Sequence, residues 1–93
     1  MKEIRKAVVT VLGKDRKGII ARVSNVLYET DVNIMDITQT IFDDMFSMVL
    51  MADITDANCS FEALNERLSA LGEELGLQIR IQRSEIFEAM YQV

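Results

Sequence analysis

Two kinds of apolar spacing alternate along this 93-residue chain, and their order limits the folds open to it. Side chains return to one face every second residue in a strand and every 3.6 residues in a helix. Ala7 to Leu12 is a β-branched apolar run, expected as a strand buried on both faces. Ile19, Ile20, Val23, Val26 and Leu27 then recur at helical spacing, which predicts one apolar stripe on a helix from about Gly18 to Thr30. Strand residues return from Val32 to Phe42, with Ile37 and Ile41 on one face and Thr38 and Thr40 on the other. Phe46, Met48, Leu50 and Ala52 alternate with Ser47, Val49, Met51 and Asp53 in a third strand. The joining Asp43-Asp44-Met45 lacks the glycine of the tightest hairpins, which predicts a longer or bulged loop.

The second half adds one more helix and one more strand, with no internal repeat, linker or low-complexity segment. Thr55 to Ser60 is polar and rich in helix-capping residues, and Phe61, Leu64, Leu68, Leu71 and Leu75 follow at helical spacing. Gly72 weakens that helix and Gly76 stops it. Leu77, Ile79 and Ile81 then alternate with Gln78, Arg80 and Gln82, a half-buried strand. After Ser84, a plausible cap, Ile86, Phe87, Met90 and Tyr91 share one helical face in a short C-terminal tail. The order βαββαβ with right-handed crossovers gives an α+β, ferredoxin-like sandwich: a four-stranded antiparallel sheet with two helices on one face, as a single domain over 1–93. In that topology the second strand is an edge. It is long, has no proline and carries no lysine to discourage pairing, so it invites a partner.

Composition removes several function classes. Ten basic against fifteen acidic residues leave a net charge of -5, a poor basis for gripping nucleic acid. The central strands also offer only Phe46 for stacking a base. The chain has no histidine and one cysteine, Cys59, so the commonest general base, a disulfide and a multi-thiolate metal site are all missing. Neither a cofactor nor a metal is expected. The start, Met1-Lys2-Glu3-Ile4-Arg5-Lys6, lacks a signal-peptide core, and no apolar run approaches membrane-spanning length, which implies a cytoplasmic protein with no membrane contact.

One loop stands out. Gly13-Lys14-Asp15-Arg16-Lys17-Gly18-Ile19-Ile20 leads from the first strand into the first helix, and free N–H groups at a helix start favour an anion. The two glycines have the spacing of half a phosphate-binding loop, but Ile19-Ile20 stands where Lys and Ser or Thr would be needed. The loop suits holding a small ligand and has no visible means of attacking one.

That loop, Val26-Leu27 and the segment Asp31-Val32-Asn33-Ile34-Met35-Asp36-Ile37-Thr38-Gln39-Thr40 together resemble an ACT domain, a small module that binds amino acids in metabolic enzymes and regulators. The ending Ile86-Phe87-Glu88-Ala89-Met90-Tyr91 is similar to the tail of small stand-alone prokaryotic ACT proteins. The resemblance implies side-by-side homodimers, through the second strand, with an amino acid or related metabolite held where one subunit's first loop meets its neighbour's second strand. It implies the ligand residues Asp15, Gly18, Ile19, Asn33, Ile34 and Asp36. The N–H groups of Gly18 and Ile19 suit an α-carboxylate, the Asn33 amide donates and accepts, and the Asp36 carboxylate suits an α-ammonium. A regulated protein is a further implied partner. Lys17 stands where family loops often carry proline.

Each of these residues also has a plain structural reading. Gly18 serves a tight turn, Asp15 caps the helix, Asn33 serves the turn into the second strand, and Asp36 sits on a solvated face or pairs with a lysine. Cys59 reads as a loop bystander. The expected function is a non-catalytic, metabolite-sensing module, with a protein-pairing module as the alternative and an enzyme a distant third.

Overall fold

The structure, a computed structural model, describes residues 4–84; the expected tail helix and its Ser84-led apolar face lie outside them apart from Ser84 itself. Six elements follow in the expected order: β1 (Lys6–Lys14), α1 (Ile19–Glu29), β2 (Asn33–Phe42), β3 (Met45–Asp53), α2 (Phe61–Leu75) and β4 (Leu77–Arg83). The strands form one antiparallel sheet in the order β2-β3-β1-β4, so β1 and β3 are central and β2 is an edge. Both helices pack on one face. Their stripes (Val23 and Leu27 from α1; Leu64, Leu68 and Leu71 from α2) close over Ala7, Val9, Val11, Met48, Leu50, Ile79 and Ile81 from the sheet.

Local chemistry sets the ends of these elements. The Ser60 hydroxyl accepts from the Ala63 N–H at 3.1 Å, capping α2, and Gly76 ends that helix in the left-handed region at φ 71°. Gly72 does more than weaken α2. A Cβ there would stand 2.7 Å from the Leu77 carbonyl oxygen, so its absence lets the helix lie against the start of β4. Across the helix pair, Arg22 bonds Glu74, and Arg67 donates to Glu29 at 2.6 Å.

Three expectations change. β1 is not buried on both faces: Val8 is buried on the side away from the helices, but Thr10 is half-buried and Leu12 is 47% exposed, because no second layer covers that face among the described residues. Ile20 leaves the α1 stripe and is exposed, since the helix turns Ile19 and Val23 inward instead. The β2–β3 connection is tight rather than long. Phe42 pairs with Met45 across only Asp43 and Asp44, and Asp43 itself takes the positive φ of 55° that glycine would ordinarily supply. The irregularity lies inside β2 instead, where the register with β3 shifts between Ile34 and Asp36 and leaves Met35 as a bulge.

Candidate functional site

The first loop is built from both of its ends. The Asp15 N–H donates to the Asp44 carbonyl at 2.7 Å, which ties the loop to the β2–β3 turn. Arg16 reaches the other way, its Nη1 donating to the Leu75 carbonyl at 3.3 Å near the end of α2. Gly18 then turns left-handed at φ 84°, and its carbonyl accepts the Arg22 N–H at 2.9 Å, the first bond of α1. A Cβ at Gly18 would meet nothing within 4 Å, so the position needs glycine for its φ, and the space before it is open.

No side chain caps α1, and its first turn holds no acidic residue. The structural reading of Asp15 as the cap therefore fails: Gly18 is the cap residue, and the Asp15 carboxylate leaves the first-turn N–H groups to solvent. Those groups border a groove of about 380 Å³ between the start of α1 and the edge of the sheet. Asp15, Gly18, Ile19 and Ile20 line one wall and Gln39, Ile41 and Phe46 the other. Gln39 lines this groove, although the sequence did not single it out. Its signal was present in the alternation Ile37, Gln39, Ile41, which sets all three on the helix-bearing face opposite Leu50, Met48 and Phe46.

The other three expected residues lie elsewhere. Asn33 is exposed opposite Asp53, and Ile34 is half-buried opposite Ala52 against the core. Asp36 pairs with Met51, on the open face of the sheet, and its Oδ1 accepts the Ile37 N–H at 2.9 Å. From Asn33 to Ile41 the strand spans about 25 Å at ~3.3 Å per residue. A single chain therefore brings Asp15, Gly18 and Ile19 together and holds Asn33, Ile34 and Asp36 at the far end of the same edge. Among the described residues, no cluster of three His, Cys, Asp or Glu side chains is placed to hold a metal ion, and no helix is long and apolar enough to cross a membrane. Cys59 is half-buried and packs against the core.

The family model for the ACT domain matches residues 5–82. The chain belongs to the ACT domain family. ACT domains are regulatory, ligand-binding modules. The UPF0237 protein of Methanocaldococcus jannaschii is 44% identical over 88 residues, covering 95% of this chain and 98% of that one. Among solved structures, an ACT domain protein from Streptococcus pneumoniae superimposes with a TM-score of 0.79 at 40% identity, covering 92% of this chain and 97% of that one. A putative glycine cleavage system transcriptional repressor matches with a TM-score of 0.73 at 25% identity, over 86% of this chain and 46% of its own. This ACT domain thus resembles both a protein of its own size and part of a larger regulator.

Proposed function

We propose that this ACT domain is a non-catalytic sensor that binds an amino acid or a closely related metabolite between two copies of itself. The observation that carries the reading is the uncapped start of α1 opening onto the groove lined by Gln39 and Ile41. The N–H groups at Gly18 and Ile19 take the ligand carboxylate, where the helix dipole adds to the hydrogen bonds. The Asp15 carboxylate, on the same wall of the groove, takes the ammonium group, a part that the family resemblance gave to Asp36. Asn33 and Ile34 complete the site from the partner copy, and Asp36 holds the backbone beside the Met35 bulge. Family membership supports the ligand-binding class.

The test is a thermal-shift panel of the twenty amino acids and common small metabolites on the purified protein. A ligand that binds only the folded state stabilises it by about 2.7 kcal/mol at a hundredfold excess over its Kd. A selective hit is expected, recovered chemically unchanged after incubation. Asp15→Asn and Asn33→Ala should each reduce the shift, and Asp36→Asn should leave most of it. A hit unaffected by Asp15→Asn and Asn33→Ala removes the assigned site. The exposed apolar edge of β2 favours a second reading, a pairing module without a small ligand; a blank panel on a firm dimer selects it.

A further inference from the structure

The face of the sheet away from the helices changes character along its length. On β1, Val8 is 2% exposed, Thr10 is half-buried and Leu12 is 47% exposed, although all three point to that face. The same gradient runs on both neighbouring strands. Met51 on β3 is half-buried while Val49 and Met45 are exposed, and Gln82 on β4 is half-buried while Arg80 and Gln78 are exposed. Val8 pairs with Met51 on one side and Gln82 on the other, so the sheltered residues form one row across β3, β1 and β4. The shelter stops there. Asp36 on β2, opposite Met51, is exposed.

We infer that residues 85–93 of this chain fold back across this row and cover Val8, so that the outer face of the sheet docks the chain's own C-terminal segment. The flanking strands do not account for the burial. Side chains of a strand stand roughly perpendicular to the sheet, so Met51 and Gln82 shield the flanks of Val8 and leave its top to water. Leu12 shows what such a setting gives without a cover: it lies in the same central strand, between Ser47 and Gln78, and stays bare.

Position, length and chemistry select the segment. β4 ends at Arg83, opposite Ala7 and one residue past the row, and Ser84 beyond it is a polar residue only 8% exposed. Residues 85–93 start from that point. As a helix they would reach about 13 Å at ~1.5 Å per residue. The crossing from β4 over β1 to β3 is about 10 Å at ~4.8 Å between strands. A segment of this length covers three strands and falls short of β2, which matches the exposure of Asp36. Ile86, Phe87, Met90 and Tyr91 share one helical face and supply an apolar surface for Val8 and Met51. Glu85 and Glu88, the only charged side chains in the segment, are opposite in sign to Lys6 and Arg80, which lie exposed on either side of the row. Residues 1–3 also start near this end of the sheet, but they offer one apolar side chain, Met1, beside Lys2 and Glu3.

The consequence is a second, smaller apolar layer outside the sheet. It engages the apolar side chains of the C-terminal segment within the chain rather than leaving them for another protein, and it leaves Leu12, Val49 and Met45 as the bare part of the face.

Thiol accessibility in the full chain tests this. In a Cys59→Ser background, Val8→Cys, Leu12→Cys and Val11→Cys are alkylated separately under native conditions. Val8→Cys should react about tenfold or more slowly than Leu12→Cys, although both lie on one face of one strand. Adding Phe87→Ser and Met90→Ser should raise the Val8→Cys rate by about tenfold and leave Val11→Cys, on the helix-bearing face, protected. An unchanged Val8→Cys rate overturns the inference, as does a rate equal to that of Leu12→Cys before the tail is altered. Protection lost on dilution assigns the cover to a second copy and overturns it too. If the tail substitutions expose Val8→Cys and Val11→Cys alike, the domain has unfolded, and Phe87→Trp decides instead. The chain has no tryptophan, so the introduced indole reports alone. Blue-shifted emission that resists acrylamide and does not change on dilution supports the docked segment; solvent-like emission overturns it.

Discussion

Gly72 and Gly18 show how two residues of the same type answer to different physics. By helix propensity alone, Gly72→Ala would stabilise α2 by about 1 kcal/mol. The Leu77 carbonyl 2.7 Å from the added Cβ belongs to the backbone of β4 and cannot turn aside. We expect a net loss of about 1–3 kcal/mol from overpacking, read by urea unfolding. Gly18→Ala meets no atom within 4 Å, yet it should cost about 1–2 kcal/mol because an L residue is forced to φ 84°. A gain from Gly72→Ala would show that α2 and β4 can separate at little cost. The sequence marked both glycines as punctuation, but close approach between distant segments leaves no local signature, so it could not distinguish a spacer from a hinge.

Among the elements, the strands with clean alternation were the most legible. Leu77, Ile79 and Ile81 are buried as their spacing required, and the α2 stripe holds from Leu64 to Leu75. The β2–β3 hairpin was not, because its tightness depends on Asp43 accepting a left-handed backbone. Aspartate does so at a cost that glycine escapes, so Asp43→Gly should raise stability by about 0.5–1 kcal/mol in chemical denaturation. A loss there would mean that the Asp43 side chain, not the turn geometry, fixes the hairpin. The Met35 bulge was equally hidden, since a register shift is a relation between two strands. It separates the site residues that sequence could list from the arrangement it could not: Asp15, Gly18 and Ile19 converge, whereas Asn33 and Ile34 wait at the other end of β2.

Taken as a whole molecule, the domain draws its stability from the layer between sheet and helices rather than from the charges above it. The Arg22–Glu74 and Arg67–Glu29 pairs join the helices, but their side chains are about half exposed, and such pairs contribute at most about 1 kcal/mol. Leu68 is fully buried, and Leu68→Ala should cost about 2–5 kcal/mol. Denaturation midpoints should therefore fall sharply for Leu68→Ala and move little for Arg67→Ala or on adding salt; the reverse order would relocate the source of stability to the surface.

The Asp15–Asp44 hydrogen bond has a consequence at this scale. It ties the first loop to the edge hairpin, so on the proposed reading whatever tightens the loop also acts on the strand proposed to pair. Where a bound molecule strengthens pairing, reciprocity requires pairing to strengthen its binding by the same factor. Half-saturation should then shift with the amount of protein present, making the domain's own abundance an effector of what it senses.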